Sequence, residues 1–420
     1  MLSPTQKSTD RPAAQGLDLT FADGGIAYRF SAGSDPLQII ARRADGKMLL
    51  AGKVYWRDHL DFQLVQLLED GDKDPDFANE GILKGGFKDG AQASLHGAQL
   101  YEDGKILVIG AHYGDIRYLA FARFLEDGTR DSSFGDDGLV LHPESSHPSG
   151  FAKPSSSQSQ PTSNTAIGPN GEIIMASWTE ISRYDQKGEP DLSFNGTGHV
   201  SVEFVINAVG VSDNGRITVV GSSSLGSNPL NEGVIARFNA DGTQDESFGI
   251  GGITRVRVDD AATAFSGLLL RVDGSSFVTG SLDRTPNDVW GTDRRGVVTA
   301  FNGNGRPNLV FNSGRPVVSE LSSGEANSWS DISGDPTHGI VVVGLSGLRS
   351  RERTLIARYD ITGNPDSTFG IAGFLQTRLG ADHEYWTSVV VQPDHKIIAS
   401  GDCRYHFDRA TIARFLATNG

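Results

Sequence analysis

The phrase D-x-x-F recurs along the chain at nearly even spacing, and this repetition constrains the fold more than any other feature. The phrase and one variant, NLVF, lie at residues 18–21, 74–77, 131–134, 191–194, 245–248, 308–311 and 366–369. Successive phenylalanines are 56, 57, 60, 54, 63 and 58 residues apart. A fixed period of this kind indicates one repeat architecture that spans the chain, and not several unrelated domains.

Each repeat contains four short apolar runs separated by turn signals. Asp-Gly or Asn-Gly joins the first two runs, as in 39–52 and 99–110, and predicts a tight hairpin. A third run ends in Ala-Arg-aromatic, as in 234–238, and a fourth follows D-x-x-F, as in 138–142. Four antiparallel strands repeated seven times predict an all-β chain, a single seven-bladed β-propeller.

The two ends of the repeat array complement each other. The chain begins with a fourth-strand segment, Gly25–Phe30, and ends with a third-strand segment, Thr411–Leu416. We therefore predict that residues 25–30 pair with the last blade and close the ring, which buries two strand edges. We expect residues 1–16 to form a mobile polar tail and residues 17–420 to form the propeller, with repeats starting near 18, 74, 131, 191, 245, 308 and 366.

An arginine in the third run stands eight residues before the aspartate of D-x-x-F. The pairs are Arg123 and Asp131, Arg183 and Asp191, Arg237 and Asp245, and Arg358 and Asp366. In the fifth repeat both charges are absent together, as Ala300 and Asn308, and in the first repeat Gln66 stands opposite Asp74. We predict an ion pair that holds the second turn, with Arg414 pairing with Asp18 across the closure. Coincidence in the fifth repeat is the alternative.

The repeated phenylalanine is predicted to be core, because one large aromatic ring recurs where neighbouring sheets must pack. These residues are Phe21, Phe77, Phe134, Phe194, Phe248, Phe311 and Phe369.

The repeats follow the arrangement L-D-x-x-F-G-x-x-G, then Q-P-D-G-K-I-L-V-A-G, then A-R-Y-x-x-D-G. Its closest copies are Pro365–Gly373 (PDSTFGIAG), Gln392–Gly401 (QPDHKIIASG) and Ala236–Gly242 (ARFNADG). This arrangement resembles the bacterial delta-60 repeat family, a β-propeller domain of unknown function. The resemblance covers residues 17–416 and implies a propeller fold, but no catalytic residue. Ala300, Asn308 and the sequence PTHG at 336–339 depart from the pattern.

Composition argues against several classes of function. The formal charge is −15 and the pI is about 5.1, so the chain repels phosphate backbones and nucleic acid is not an expected partner. Cys403 is the single cysteine, so no intrachain disulfide or cysteine metal cluster can form. The sequence shows no classical signal peptide and no apolar run of membrane-spanning length. We expect a monomer that is cytoplasmic or exported by a non-classical route.

Catalytic signatures are missing from the sequence. It contains no G-x-S-x-G elbow, no H-E-x-x-H and no phosphate-binding G-x-x-x-x-G-K-[ST]. The acidic run 69–76 lacks the pattern of a calcium loop. We therefore predict no catalytic residue, no metal ligand and no cofactor.

Residues that break the repeat gather in the loops between strands two and three and in the links between blades, which open on one face of the ring. We name this the irregular loop face. The residues predicted to bind a ligand there are Trp56, Arg57, His59, His112, Tyr113, Arg117, Trp178, Trp290, Arg294, Tyr385, Trp386, Tyr405 and His406. Such loops on a rigid scaffold favour a non-enzymatic module that recognises a protein or a glycan.

Other interpretations of the same face remain open. The aromatic residues could plug the ends of the sheets, and Trp386 occupies a repeat position that also suits core packing. The acids and histidines of the face, Asp58, His59, Asp115, His383 and Asp408, could serve a metal-assisted hydrolase, lactonase or lyase. The chain could also be a purely structural module. Residues 281–296 would be the first contact arm of a binding face, and residues 143–165 form a Ser/Pro-rich link.

Overall fold

A computed structural model gives the architecture. It describes residues 16–28, 30–31, 33–56, 59–143, 164–223, 231–285, 292–321, 324–335, 337, 339–348, 351–380, 383–405 and 408–417. Within these ranges 28 strands form seven antiparallel sheets of four strands each. The predicted seven-bladed all-β propeller is confirmed.

Each blade is a meander whose strands follow one another along the chain. Blade 1 contains β2 (Gln38–Arg42), β3 (Met48–Trp56), β4 (His59–Leu67) and β5 (Ile82–Gly85). Blade 2 contains β6 (Gln92–Leu100), β7 (Ile106–Tyr113), β8 (Arg117–Phe124) and β9 (Leu139–Pro143). Blade 3 contains β10 (Thr165–Ile167), β11 (Ile173–Ser177), β12 (Glu180–Tyr184) and β13 (His199–Ser201). Blade 4 contains β14 (Val205–Val211), β15 (Ile217–Ser222), β16 (Gly233–Phe238) and β17 (Ile253–Val256).

The last three blades complete the ring. Blade 5 contains β18 (Ala262–Leu270), β19 (Ser276–Asp283), β20 (Arg294–Phe301) and β21 (Val317–Val318), with a 3-10 turn at Asn312–Gly314. Blade 6 contains β22 (Asn327–Asp335), β23 (Gly339–Ser346), β24 (Arg353–Tyr359) and β25 (Phe374–Thr377). Blade 7 contains β26 (Tyr385–Val391), β27 (Ile397–Tyr405), β28 (Asp408–Phe415) and β1 (Ile26–Ala27).

The closure of the ring joins the two ends of the propeller. Strand β1 pairs antiparallel with β28, with Ile26 opposite Ala413 and Ala27 opposite Ile412. Asp18 N–H also donates to the Arg414 carbonyl over 2.8 Å, and Arg414 N–H donates to the Gly25 carbonyl over 3.1 Å. The predicted pairing of residues 25–30 with the last blade is thus confirmed, although the strand itself is only two residues long.

Apolar side chains on the faces of the sheets form the core. Within the described residues, one buried cluster lies in each of the seven interfaces between neighbouring blades. The seven phenylalanines of the repeated phrase belong to these clusters and are at most 2% exposed. Each blade therefore buries its apolar faces only against its two neighbours, so an incomplete ring would expose two of them.

The repeated arginine and aspartate meet in the structure, in an arrangement that we name the arginine clasp. Nε of the arginine lies within 2.9 Å of an aspartate oxygen in the pairs Arg123–Asp131, Arg237–Asp245, Arg358–Asp366 and Arg414–Asp18. In blade 3 it is Nη2 of Arg183 that lies 2.8 Å from Asp191. In each of the five clasps the guanidinium also lies over the phenylalanine ring of the same phrase, 4.5–5.1 Å from its centroid.

Each of the five clasps also ties its blade to the next one. Arg123 Nη1 donates to the Gln186 carbonyl of blade 3 over 3.3 Å, and Arg414 Nη1 donates to the Glu69 carbonyl of blade 1 over 2.7 Å. Arg183, Arg237 and Arg358 make the corresponding bonds to the carbonyls of Ala240, Gly303 and Ala417. One side chain thus joins its own turn, its own core ring and the backbone of its neighbour.

Blades 1 and 5 depart from the clasp in different ways. In blade 1, Gln66 Nε2 donates to Asp74 over 2.7 Å, and Lys47 Nζ lies 2.9 Å from the same carboxylate. In blade 5, the Phe277 ring packs 5.6 Å from Phe311, on the strand position directly opposite Ala300. Phe277 therefore covers the repeated phenylalanine where an arginine covers it in the five blades that have a clasp, which explains why both charges can be absent together.

Candidate functional site: the irregular loop face

The irregular loop face is formed by loops and strand ends that differ in length from blade to blade. Loops between strands two and three and links between blades reach one face, because each blade alternates direction from strand to strand. Turns between strands one and two, and between three and four, form the opposite face, which we name the tight-turn face. The β11–β12 connection of blade 3 is a two-residue turn, since Ser177 pairs directly with Glu180.

Trp178 stands at the tip of that short hairpin. Its side chain is 53% exposed and its φ is +49°, in the left-handed region. Its carbonyl accepts a hydrogen bond from Ile206 N–H over 2.7 Å, which fixes the turn against blade 4. Asn or Gly usually occupies such a position, because a side chain with a bulky Cβ substituent strains it by about 1 kcal/mol or more. A large apolar ring is thus held in solvent at a conformational cost.

The β7–β8 hairpin of blade 2 presents the next group of predicted residues. Tyr113 is 40% exposed and the Arg117 guanidinium lies 5.8 Å from its ring centroid. Tyr118 donates its hydroxyl to Asp115 over 2.9 Å, and this bond is the main cause that lowers the pKa of Asp115. Ile116 at the tip is 47% exposed, so this hairpin offers aromatic, cationic and apolar groups together.

Two residues predicted to contact a ligand are buried instead. The Trp386 side chain is completely buried and packs edge-on to Phe415, 5.9 Å between centroids, in the interface of blades 6 and 7. His112 is 4% exposed and its ring lies 5.8 Å from that of Tyr118. The prediction of surface contact is wrong for both, because Trp386 is buried between blades 6 and 7 and His112 is buried beside Tyr118 of its own hairpin. Burial lowers the pKa of His112, so it is the neutral form that is favoured there.

The remaining predicted residues lie in several blades. His59 begins β4, with Nε2 3.1 Å from Asp61, and is 41% exposed. Arg294 begins β20 opposite Asp283, and its guanidinium is partly withdrawn from water, which lowers its pKa. Tyr385 is partly buried and its ring lies edge-on to His383 at 5.4 Å. Trp56 and Tyr405 end β3 and β27, and their side chains lie outside what the structure describes, as do Arg57, Trp290 and His406 entirely.

The acids and histidines of the enzymatic alternative lie in separate pairs. His59 lies beside Asp61 in blade 1, and Asp115 bonds Tyr118 in blade 2. His383 Nδ1 lies 2.7 Å from Glu352 Oε2, between blades 6 and 7. Asp58 and the side chain of Asp408 are outside the described residues. Among the residues that are described, no group of three or more His, Cys, Asp or Glu side chains is arranged to hold a metal ion.

A cationic group between blades 1 and 2 was not anticipated from the sequence. Lys53 follows Leu49 and Ala51 on the side of β3 that packs against blade 2, and burial lowers its pKa. His96 occupies the extra position of a β-bulge in the innermost strand of blade 2. Burial, together with the charges of Lys53 and Arg117, lowers the pKa of His96 to about 3, so this histidine is neutral near pH 7. Neither residue is part of a motif in the sequence, since each is an isolated polar residue within a strand.

Part of the chain matches a family model. The family is "Domain of unknown function (DUF5122) beta-propeller", and the matched residues are 43–77, 102–134 and 213–248. These matches identify a β-propeller domain of unknown function. They lie in blades 1, 2 and 4, where the hairpin turn and the D-x-x-F turn follow the repeat closely. No curated protein matches the chain.

Solved structures resemble the chain only distantly. Regucalcin from Agrobacterium tumefaciens, a calcium-binding protein, is 13% identical with a TM-score of 0.37, over 80% of this chain and 94% of that one. The β-propeller domain of the Trilobed protease from Pyrococcus furiosus is 6% identical with a TM-score of 0.46, over 91% and 95%. Drosophila Plexin A, in complex with Semaphorin 1b, is 10% identical with a TM-score of 0.47, over 96% and 88%. We draw no functional argument from these likenesses.

Helices play almost no part in this fold. A helix long and apolar enough to cross a membrane is not found in the described ranges.

Proposed function

We propose that this propeller is a non-enzymatic recognition module that binds a protein or a glycan through its irregular loop face, and that it is a delta-60 repeat protein. Trp178 carries the proposal. Its ring is half exposed, on a rigid two-residue turn, in a conformation that an unselected turn would fill with Asn or Gly. Conformational strain that is retained on an exposed aromatic residue is typical of binding sites.

Neighbouring hairpins supply further contacts of the same kind. Tyr55 near the end of β3 is 49% exposed, and Tyr113 is 40% exposed beneath the Arg117 guanidinium. Exposed Trp, Tyr and Arg side chains on a rigid frame are the groups that contribute most to binding energy at interfaces. A flat ring such as Trp178 also stacks on a sugar face, while Asp115 and Tyr118 offer hydrogen-bonding groups beside Tyr113.

The test measures binding by the folded protein and by loop-face variants. A Tyr55→Ala/Tyr113→Ala/Trp178→Ala variant is compared with wild type on a glycan array and against candidate protein partners by surface plasmon resonance. Loss of each ring should weaken binding, in total by at least about a hundredfold, since a hot-spot aromatic contributes about 2 kcal/mol or more.

Leu309→Ala is the matched control, because Leu309 is 75% exposed on the tight-turn face. The control should bind as wild type does, and thermal unfolding should show that both variants fold. Full-strength binding by the folded triple variant would exclude this face as the binding surface.

A further inference from the structure

A cleft of about 380 Å³ opens on the tight-turn face between blades 4 and 5. The β14–β15 turn, from Val211 to Arg216, forms one wall, and the β18–β19 turn, from Leu270 to Gly274, forms the other. Arg237 and Gly303 lie at its base. The cleft is on the opposite side of the ring from the irregular loop face, so it is independent of the function proposed above. Its volume is within the range of small-molecule sites.

In blades 1, 2 and 6 a larger side chain at the first residue of the hairpin turn reaches the next blade, whereas blade 3 has Gly168 at this position. Arg43 of blade 1 reaches into blade 2 and donates to Glu126 Oε1 over 2.9 Å and to the Gly104 carbonyl over 3.4 Å. Tyr101 of blade 2 lies against Gly171 of blade 3. Asp335 of blade 6 bonds His395 of blade 7 over 3.0 Å.

Two small residues of blade 4 line the cleft. The turn position of Arg43 and Tyr101 is held by Ser212, whose hydroxyl bonds only within its own turn, to Asn214 and to the Arg216 carbonyl. The second is Thr218 on β15, opposite Arg237. The other blades carry an apolar residue at that strand position, larger than threonine in five of the six, namely Leu49, Leu107, Ile174, Phe277, Val341 and Ile398.

Three guanidinium groups line the cleft, and they are unequally neutralised. Arg237 Nε lies 2.7 Å from Asp245, and Arg216 Nε shares the same carboxylate at 3.5 Å. Arg271 has no carboxylate within 4.0 Å among the described residues, and its guanidinium lies 5.9 Å from the Phe277 centroid. Asp273 is occupied, because its Oδ1 accepts the Ser275 N–H and hydroxyl. Asp213 also lines the cleft. Arg271 and the half-exposed Arg216 therefore keep donors available to a ligand.

The walls between these charges are apolar. Val211, Leu270 and Thr218 line the cleft, together with Val272, which is 97% exposed. A ligand that fits both features has a carboxylate at one end and a short hydrocarbon or aromatic body. Arginine binds a carboxylate through two parallel N–H bonds, which gives this end its selectivity.

We propose that this cleft binds a small organic carboxylate, with its anionic end at Arg271 and Arg216 and its apolar body against Leu270 and Val211. Binding is measured by saturation-transfer NMR and calorimetry on the purified full chain with acetate, butyrate and benzoate, and with benzylamine as the cationic counterpart. Benzoate and butyrate should bind more tightly than acetate, because they bury more apolar surface. Benzylamine should not bind.

The variants are chosen so that the fold is preserved. Ser212→Tyr copies the residue that fills the gap between blades 2 and 3, and it should abolish benzoate binding, while Ser212→Ala should leave it intact. Arg271→Gln should weaken binding by about tenfold or more, the usual effect of losing a charge-assisted hydrogen bond. Arg255→Gln is the control, since Arg255 lies on the outer strand β17 near Glu232 and away from the cleft.

Thermal unfolding of each variant checks that it folds. Retained benzoate binding by folded Ser212→Tyr would overturn the proposal, as would unchanged affinity in Arg271→Gln. Absence of benzoate binding to the wild-type chain at about 1 mM would overturn it as well.

Discussion

Replacing Arg414 by alanine should destabilise the whole propeller, because this side chain completes the clasp across the closure. Its Nε lies 2.9 Å from Asp18, Nη1 donates to the Glu69 carbonyl over 2.7 Å, and Nη2 donates to Thr20 over 3.1 Å. Arg414 is 6% exposed and Asp18 is 3% exposed, so the pair is largely withdrawn from water.

The size of the effect follows from what the alanine variant leaves behind. Breaking a buried ion pair costs about 3–5 kcal/mol, because one charge stays buried without its partner. Lys396 Nζ remains 3.2 Å from Asp18 and would still neutralise it partly, so we expect the lower end, about 3 kcal/mol. The Glu69 carbonyl also loses its donor.

The assay is urea unfolding followed by circular dichroism, with Arg237→Ala as the matched comparison. Arg237 makes the same clasp inside blade 4, with Asp245 at 2.7 Å and the Gly303 carbonyl of blade 5 as its neighbour contact. Both variants should lose similar amounts of unfolding free energy. The reasoning would be refuted if Arg414→Ala lost less than about 0.5 kcal/mol of unfolding free energy while Arg237→Ala lost much more. That result would mean that the clasp does not stabilise the closure as it stabilises the contact between blades 4 and 5.

Three further predictions concern blade 5, acid stability and the loop face. Phe277→Ala should lower the unfolding free energy, measured by urea titration, by about 3–5 kcal/mol, as large core truncations do. Adding Ala300→Arg and Asn308→Asp to this variant should recover part of the loss. No recovery would mean that Phe277 does not replace a clasp. Burial alone would raise the pKa of Asp18 and Asp131, but hydrogen bonds from Thr20 and Ser133, with the nearby cations, lower both to about 2. The stability that these carboxylates contribute is therefore present above their ordinary pKa of 3.8 and is lost as the pH falls from about 4 to 2. In an Asp18→Asn/Asp131→Asn variant, the urea concentration at the unfolding midpoint should depend less on pH over this window. Trp178→Gly should raise the thermal stability by about 0.5–1 kcal/mol while weakening ligand binding, since glycine relieves the positive φ; a variant that loses stability would show that the ring contributes packing instead.

The fold could be predicted from sequence because the seven repeats can be aligned with one another, which shows which positions are equivalent. Arg414 and Asp18 are separated by 396 residues, and no local pattern relates them. Their positions in the repeat relate them, because the equivalent residues of the second repeat, Arg123 and Asp131, are only eight residues apart. The joint loss of charge at Ala300 and Asn308 pointed to the same contact, and the structure adds Phe277 as the physical reason.

The exposed residues of the irregular loop face were harder to predict than the fold, because side-chain chemistry does not reveal which way a strand end faces. Trp386 occupies the repeat position of Leu37 and Leu95, and that position decides its burial more than its aromatic character does. His112 is the last buried residue of β7, and its ring lies against Tyr118 of its own hairpin. The strained φ of Trp178 is a backbone property that the sequence shows only as a two-residue turn without Gly or Asn.

The cleft between blades 4 and 5 illustrates another limit. Ser212 and Arg271 belong to turns of two successive repeats, and each turn looks ordinary by itself. Ser212 and Thr218 line the cleft and are smaller than their counterparts in most other blades, a comparison that requires knowing which neighbour each side chain faces.

The closed ring is tested most directly by an engineered disulfide across the seam. Ile26 and Ala413 are direct partners on β1 and β28, close enough for a disulfide between cysteines, and buried Cys403 is first replaced by alanine. Oxidised Ile26→Cys/Ala413→Cys protein should form an intrachain cross-link, seen by mass spectrometry of the linked peptides, and should unfold at a higher urea concentration than its reduced form. Free thiols after oxidation of the folded protein, or cross-links only between chains, would contradict a ring closed by its own amino-terminal strand.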